Sequence, residues 1–327
     1  MDSEILINSA TSDGGGVGVY GSSANIAFTG TRIAGNVAGN LGGGLFVNRS
    51  SQIEVTGLAL SGNSATSGGG GCYNSGDLTF YGSTISSNTT ELNGAGVLSE
   101  TGTLRIINTT LSGNLAKGGN GGGVSARLNT NVDLIHTTIT NNHAGGSGGG
   151  LHAFDATVHM GNSILAENTA TVGGPDLFGI ITSLDYNLIG SLSNGSLTER
   201  RDHTFIGGDP LLGPLADNGG PTLTHSLLAG SPAIDAGGIG ISLLEGLMED
   251  QRGFMRFADI LSVANAEGGV DIGAVEILAL EVEDASASEN SGHIEFTVTL
   301  SNPPPHDQNV SVMVRTASVV GGAAATD

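Results

Sequence analysis

Paired carboxylates are the first residues in this chain whose spacing could support catalysis. Glycoside hydrolysis needs two carboxylates about 5 to 9.5 Å apart. In residues 1–170 the one closely spaced pair is Asp2 and Glu4, and the other acidic residues are scattered. An enzyme that processes polysaccharides, as a lyase or a glycoside hydrolase, would therefore have its site in residues 171–277 or outside this chain. The candidate acids there are Asp185, Asp202, Asp209 and Asp217.

Basic and imidazole side chains give little support for lyase or metal chemistry. A lyase acting on uronates would need clustered Lys or Arg, but Arg105 is alone on its predicted face. We interpret Arg105 and Asp133 as an exposed ion pair, which contributes less than about 1 kcal/mol. The four histidines that are close together in sequence follow neither HxH nor HExxH spacing, so they do not predict a metal site. They are His136, His143, His152 and His159.

A ligand surface is suggested by three apolar residues at equivalent places. Phe46 and Tyr73 each stand second after a glycine triplet, and Leu98 stands second after the corresponding GAG. If the first residue after each triplet faces inward, these three should form an outward apolar stripe. Such a stripe could bind a carbohydrate or another partner, or it could lie beneath a loop of a neighbouring repeat.

The element that must position these residues is a repeat of about 27 residues. Asparagine recurs with gaps of 25 to 28 residues, and all but the last of these asparagines are followed by a glycine triplet, which reads GAG after Asn88. Repeats of this length indicate stacked units that bury a shared core. Identical amides on stacked strands about 4.8 Å apart can hydrogen-bond along the stack, so we predict a structural asparagine ladder. Its members are Asn8, Asn36, Asn63, Asn88, Asn114, Asn142 and Asn168.

The residues around each asparagine indicate strands. An aliphatic residue stands three places before every asparagine, and two further apolar positions lie eight and ten places before most of them. The sixth place before is Gly, Asn or His, which suits a turn with positive φ. Three short strands per repeat without helical periodicity predict an all-β fold, a right-handed single-stranded parallel β-helix of about seven coils in residues 1–170.

Composition limits the partners of this chain. Its formal charge is −21, with 21 acidic against five basic residues in 171–327 and a single lysine, Lys117. This charge disfavours nucleic acid and anionic membranes and suits calcium. We expect the one cysteine, Cys72, to be a buried unreactive thiol. The sequence shows neither a secretory signal pattern nor an apolar stretch of about 20 residues, so it predicts no membrane insertion.

A family resemblance begins where the repeat ends. Residues 209–237 read DPLLGPLADNGGPTLTHSLLAGSPAIDAG, followed by DQRGF at 250–254 and DIGAVE at 271–276. This block resembles the C-terminal part of bacterial choice-of-anchor Q domain proteins, and the upstream repeats resemble the β-helical part of that family. The resemblance implies a secreted protein held at the cell surface. Within the block we predict that Arg252 forks onto Asp271 or Glu276 and closes the last coil.

A second resemblance covers residues 278–327, where strand-like alternation replaces the irregular pattern. The segment LEVEDASASENSGHIEFTVTLS and the final ATD resemble the first half of a Calx-β domain, a calcium-binding antiparallel β-sandwich. The resemblance implies that Glu289 and Asp327 are two calcium-ligating carboxylates. Because calcium takes six to eight oxygen ligands, the site would have to be completed outside this chain.

These patterns favour a non-catalytic structural or adhesive segment of a secreted or cell-surface protein. Its predicted parts are β-helix repeats in 1–170, irregular coils with the choice-of-anchor Q block in 171–277, and a truncated Calx-β-like segment in 278–327. A glycan or protein of the cell surface or matrix would be its partner, and calcium its cofactor. The alternatives are a polysaccharide-processing enzyme and a carbohydrate-binding β-helix.

Overall fold

The main body of the protein is a parallel β-solenoid of about seven turns, as the repeat predicted. The computed structural model describes residues 3–21, 25–198, 203–260, 263–277, 280–282 and 298–300. Most of its strands are two to five residues long, and the one helix in the described part of the chain has seven. Short strands separated by tight turns are what the closely spaced glycines and asparagines allow.

The strands are numbered in chain order. Those of the first four turns are β1 (Ser3–Leu6), β2 (Ser9–Ala10), β3 (Val17–Val19), β4 (Asn25–Thr29), β5 (Thr31–Ala34), β6 (Val37–Ala38), β7 (Leu45–Val47), β8 (Gln52–Thr56), β9 (Ala59–Ser61), β10 (Ser64–Ala65), β11 (Cys72–Asn74), β12 (Asp77–Tyr81), β13 (Thr84–Ser86), β14 (Thr89–Thr90) and β15 (Val97–Glu100). The later turns contain β16 (Thr103–Ile107), β17 (Thr110–Ser112), β18 (Leu115–Ala116), β19 (Val124–Arg127), β20 (Asn131–Ile135), β21 (Thr138–Thr140), β22 (His143–Ala144), β23 (Leu151–Phe154), β24 (Thr157–Gly161), β25 (Ile164–Leu165), β26 (Thr169–Ala170), β27 (Leu177–Asp185), β28 (Leu188–Ile189), β29 (Gly195–Thr198) and β30 (Phe205–Ile206). The remaining elements are β31 (Leu212–Ala216), β32 (Thr224–Leu227), α1 (Ile239–Glu245), β33 (Leu280–Val282) and β34 (Val298–Leu300).

Three sheets run along the solenoid. Sheet A has nine strands, from β1 through β5 to β30, and sheet B has seven two-residue strands, from β2 to β26. Sheet C has a first limb from β3 to β23 and a second limb from β4 to β24, and the long strand β27 pairs with both limbs. Parallel pairing continues beyond residue 170, because β28 and β30 extend sheet A and β29 pairs with β27.

The inward columns make one continuous core. The aliphatic residue three places before each asparagine is fully buried from Ile33 to Leu165. These residues stand in register, Ile33 with Leu60 and Ile85 with Leu111. Cys72 lies in the same core, and burial raises the pKa of its thiol, as expected for an unreactive cysteine. The predicted turn column is also confirmed, since Gly30, Gly57, Gly82, Asn108, His136 and Asn162 all have positive φ.

The predicted asparagine ladder is confirmed. Each side-chain amide donates to the Oδ1 atom of the asparagine one turn later at 2.8–3.0 Å. The backbone N–H of each asparagine donates to the same oxygen. From Asn36 onward the side-chain amide also donates to a backbone carbonyl of the preceding turn, as Asn114 does to Ile85. Every buried amide is thereby satisfied, which removes the cost of burying it.

Asp176 ends the ladder. Its Oδ1 accepts both the backbone N–H and the side-chain amide of Asn168 at 2.9 Å. Asp176 stands eight places after Asn168, and each earlier repeat has the last glycine of its GGG or GAG tripeptide eight or nine places after its asparagine. A Cβ on those glycines would lie 2.7–3.3 Å from the amide nitrogen of the next asparagine. A side chain at this place therefore points along the ladder, and Asp176 supplies the acceptor that an eighth asparagine would have offered.

After β30 the chain turns back along the solenoid and covers sheet A. We call residues 207–277 the strap; it contains the β31–β32 antiparallel pair and α1. Threonines on the outer face of sheet A bind it: Thr84 donates to the Leu223 carbonyl at 2.5 Å and Thr110 to Gln251 Oε1 at 2.6 Å. The tip of the strap reaches the turn at Gly82, whose carbonyl accepts a bond from Thr222. The sequence predicted irregular coils here and did not predict this return path.

The turn column also holds the strap. Asn108 donates to the backbone carbonyl of Glu249 at 2.7 Å, and Asn162 exchanges two hydrogen bonds with the backbone of Gly238. His136 lies 2.8 Å from the hydroxyl of Ser242. From Asn108 onward the turn positions carry hydrogen-bonding side chains that hold the strap, whereas at Gly82 the backbone carbonyl does so. Beyond the strap, β33 and β34 form a separate antiparallel pair.

Candidate functional site

The predicted apolar stripe is outward-facing but not exposed. Phe46, Tyr73 and Leu98 are 6 %, 9 % and 0 % exposed and form their own cluster, with Leu41 packed against it. Leu41 belongs to the segment between sheets B and C, which folds over the stripe. Of the two alternatives predicted from the sequence, a stripe beneath a loop describes these three residues.

The stripe is nevertheless a stacked column. The rings of Phe46 and Tyr73 are 5.1 Å apart and nearly parallel, and the Tyr73 hydroxyl donates to Glu100 at 3.0 Å. Burial, with the negative charge of Glu100, raises the pKa of Tyr73 to about 12. The contacts of these rings are made within the chain, so the column serves the fold here.

The same column continues toward the C-terminal end of the solenoid, where it stays buried at Ser125 and His152 and is half-buried at Phe178. There the outward positions of the first limb of sheet C are Ser125, His152 and Phe178. The rings of His152 and Phe178 stack 5.1 Å apart, and His152 also lies against Phe154 at 6.3 Å. Phe154, at the end of β23, is 64 % exposed. Together with Phe178 and the exposed Ile180 it forms an apolar patch, and such patches are typical of surfaces that bind a partner.

These rings border an open groove of about 640 Å³ where the two limbs of sheet C meet. We call it the Phe154 groove; its lining residues are Asn129, Asn131, Ala153, Phe154, Asp155, Ala156, Thr157, Phe178, Gly179 and Ile180. Alanines and Gly179 leave the base of the groove without large side chains. Gly179 has φ 105° and its backbone passes so close to the Ala153 carbonyl that a Cβ would clash with it. Its apolar walls are Phe154, Phe178 and Ile180, the last 59 % exposed.

The polar rim of the groove is built by two stacked turns. Asn129 and Asp155 both have positive φ, 62° and 53°, a conformation that Asn and Asp adopt more readily than other side chains. The backbone N–H of Asn129 donates to the Asp155 carbonyl at 2.6 Å, which holds one turn above the other. Amide, hydroxyl and carboxylate groups from Asn131, Thr157 and Asp155 thereby surround the apolar walls. The sequence did not reveal this site, although the aromatic residues at 154 and 178 were a usable signal.

The histidines do not come together as a metal site. His143 contacts Thr169, His159 contacts Asp133 at 3.2 Å, and His136 lies under the strap. Burial lowers the pKa of His152 to about 4, assisted by the positive charge of Arg127, so its imidazole is neutral at pH 7. Within the described ranges no group of three or more His, Cys, Asp or Glu side chains could hold a metal ion.

The candidate catalytic acids serve local structure. Asp185 is buried and lies 3.0 Å from the His203 ring, and Asp209 and Asp217 each accept a bond from a backbone N–H two residues on. Asp202 lies outside the described residues, as do Glu289 and Asp327, the predicted calcium ligands. Arg105 does pair with Asp133 at 3.4 Å and also with Glu245 of the strap at 2.5 Å.

The strap carries a buried charged cluster that we define as Asp250, Arg252, Arg256, Asp271 and Glu276. Arg252 forks onto Asp250 at 2.8 and 2.9 Å and donates to the Glu276 backbone carbonyl. The predicted partners, the carboxylates of Asp271 or Glu276, were therefore wrong. Arg256, which the sequence analysis missed, has the charge contact to Glu276, at 3.7 Å, and reaches the solenoid through a 2.8 Å bond to Asn108.

Burial dominates the ionisation of this cluster. It raises the pKa of Asp271 to about 7, and it raises the pKa of Glu276 well above its ordinary value, with Asp271 adding to the effect. The same burial lowers the pKa of Arg256, against the pull of the surrounding acids. Because Asp250, Asp271 and Glu276 are all sealed from solvent, a polymer could not reach them.

No helix in the described part of the chain is long and apolar enough to cross a bilayer. Comparison with protein-family models, curated proteins and solved structures gives no match to the chain. The function is therefore inferred from the chain's own geometry, with the Phe154 groove as its candidate site.

Proposed function

We propose that this chain is a non-catalytic structural and adhesive segment of a secreted or cell-surface protein. The observation that carries the proposal is the uninterrupted asparagine ladder, buried from Asn36 onward, which joins seven turns and ends on Asp176. Each turn is fixed to the next through main-chain and side-chain bonds in the same register. Seven turns about 4.8 Å apart make a stiff rod about 30 Å long, and such a rod presents its side faces at a fixed distance.

The distribution of acids supports a role without catalysis. The carboxylates of the buried charged cluster lie close together within the strap, but they are sealed from solvent. The exposed acids Asp209 and Asp217 are engaged as caps of their own turns. A catalytic pair needs both accessibility and a mutual separation that leaves room for the sugar.

The location and the calcium rest on the two family resemblances. The block at 209–277 adds attachment at a cell surface to the proposal, and the segment at 278–327 adds calcium through Glu289 and Asp327. Titration with calcium, followed by calorimetry on a form extended to complete the predicted site, tests the second point. Binding that both Glu289→Gln and Asp327→Asn weaken would support it, whereas unchanged affinity in both variants would remove calcium from the proposal.

A depolymerisation assay tests the main proposal against the enzymatic alternative. Wild-type protein is incubated with neutral and uronate polysaccharides, and new reducing ends or unsaturated products are measured. We expect none. Product release that disappears in one of Asp185→Asn, Asp202→Asn, Asp209→Asn or Asp217→Asn would overturn the proposal and establish the enzyme.

Adhesion is measured separately. Beads coated with wild-type protein should be retained on immobilised matrix glycans and proteins, and beads coated with Leu111→Asp, which we expect to be unfolded, should not. Equal retention of the two bead types would show non-specific attachment and contradict a role for the folded rod.

A further inference from the structure

We propose that the Phe154 groove binds an uncharged polysaccharide, with a pyranose ring stacked on Phe154. This inference rests on the proposed adhesive function and names its ligand. A sugar ring has apolar C–H faces and a polar rim of hydroxyls. Its binding site therefore needs an accessible aromatic face beside hydrogen-bonding groups.

The aromatic face is present and held in place. Phe154 ends β23, where it pairs with Arg127 of the preceding turn, and its ring is supported by His152. Phe178 and Ile180 continue the apolar wall on β27. The rings of Phe46 and Tyr73, which stand in the neighbouring column with His152 and Phe178, are closed off by the Leu41 segment. Phe154 itself stands in the column of Glu100 and Arg127, which that covered cluster does not include.

The base of the groove leaves room for a ring. Ala153, Ala156 and Gly179 line it without large side chains, and Gly179 cannot be replaced without a clash against the Ala153 carbonyl. Asn129, Asn131 and Thr157 offer both donors and acceptors around this space. The arrangement matches the alternating hydroxyls of a hexopyranose better than it matches an apolar ligand.

Charge decides which polysaccharide fits. Asp155 is the one charged residue among those lining the groove. Arg127, the strand partner of Phe154, is already ion-paired with Glu100. A uronate or sulfated chain would therefore meet a carboxylate without a compensating cation, so the ligand should be neutral.

Affinity electrophoresis and calorimetry with three soluble polymers test the inference: a mixed-linkage β-glucan, a galactomannan and a polygalacturonate. Wild-type protein should bind at least one neutral polymer and bind it more tightly than polygalacturonate. Phe154→Ala should weaken that binding about tenfold or more, because an aromatic contact is lost. Phe154→Tyr should retain it, and Asp155→Asn should reduce the discrimination against polygalacturonate.

Phe205→Ala is the matched control, since Phe205 is a partly exposed phenylalanine on sheet A, outside the groove. Its affinity should equal that of the wild type, and the melting temperatures of all variants should agree. The inference is overturned if wild-type protein binds neither neutral polymer, if it prefers polygalacturonate, or if Phe154→Ala binds as tightly as Phe205→Ala. None of these outcomes involves product release. Failure of this inference is therefore distinguishable from detected catalysis, which would overturn the proposed function.

Discussion

The solenoid and the strap bury polar groups in opposite ways. In the solenoid, each ladder asparagine is neutral and fully hydrogen-bonded by its neighbours one turn away. In the strap, ionisable side chains are buried with incomplete bonding, since Arg256 Nε, Arg256 Nη1 and Glu276 Oε1 have no hydrogen-bond partner. Buried ions cost much more than buried amides unless they are well paired. The repeat is therefore the stable body, and the strap is held by contacts that are easier to upset.

The strongest test of this difference places a charge in the solenoid core. Leu111→Asp should lower the free energy of unfolding by several kcal/mol and melt the rod cooperatively, because the carboxylate would lie between Ile85 and Ile139 without a partner. Thr79→Asp is the matched control, on an outward position of β12. Thermal melts should separate the two variants clearly; similar melting temperatures would contradict the assignment of inward and outward columns.

The second test removes one member of the buried ion contact in the strap. Arg256→Met should destabilise the strap by about 3–5 kcal/mol, because Glu276 is left buried without its counter-charge. The double variant Arg256→Met, Glu276→Leu should recover much of this loss, since an apolar pair carries no desolvation cost. Limited proteolysis within 207–277 reports opening of the strap, and thermal melting reports unfolding of the solenoid. Equal loss in the single and double variants would mean that packing, rather than charge, holds the strap.

A smaller effect is expected from breaking the ladder. Asn114→Ala removes the oxygen that accepts from Asn88 and the amide that donates to Asn142 and to the Ile85 carbonyl. We expect a loss of about 1–3 kcal/mol, the cost of a buried polar group left without its partner. Chemical denaturation of Asn114→Ala and of Asn131→Ala, an amide outside the ladder, measures it. If both variants unfold at the same denaturant concentration, the ladder contributes little to stability.

The smallest effect is a pH dependence confined to the strap. Because the pKa of Asp271 is raised from its ordinary 3.8 to about 7, its contribution to stability is present at low pH and is lost as pH rises from about 4 to about 7. The pKa of Glu276 is also raised, so its contribution to stability is likewise lost as pH rises. The lowered pKa of buried His136 acts oppositely, and its contribution is lost as pH falls below its ordinary 6.5.

Hydrogen exchange of the strap at about pH 5 and pH 7.5 separates these contributions. In Asp271→Asn the raised pKa values of Glu276 and Asp235 and the opposing lowered pKa values of His136 and His225 remain, so the strap should gain relative stability at the higher pH compared with the wild type. The groups that face Asp271 are Arg256, Glu276 and Asp235. An unchanged pH profile in Asp271→Asn would show that its carboxyl does not titrate within this range.

The sequence predicted the solenoid because the residues that stabilise each turn recur at equivalent positions. The inward aliphatic column, the positive-φ turn column and the asparagine column each repeat once per turn, so one interpretation applies to every turn. The end of the ladder was not predicted, although Asp176 in place of a glycine was a visible signal. It requires knowing where a Cβ at that position would point.

The strap and the groove could not be predicted from the repeat. Arg256 and Asn108 meet across 148 residues, and nothing in their spacing indicates that contact. The outer face of sheet A carried a hint, because Thr84, Thr110 and Thr138 stand where a solvent-exposed strand usually has charges. The outward column was recognised at Phe46 and Tyr73, but which of its residues are covered depends on the path of the Leu41 segment.

The one-way ladder also bears on how such a rod could change its length. Each ladder amide donates to an acceptor on its C-terminal side. Asp176 only accepts while ionised, so it can end the series after any number of repeats. Inserting or deleting one whole repeat would leave each asparagine with the same two neighbours and the same terminator. An insertion of half a repeat would leave a buried amide unmatched. Divergence by duplication should therefore proceed in whole turns, which would move the Phe154 groove about 4.8 Å along the axis at a time.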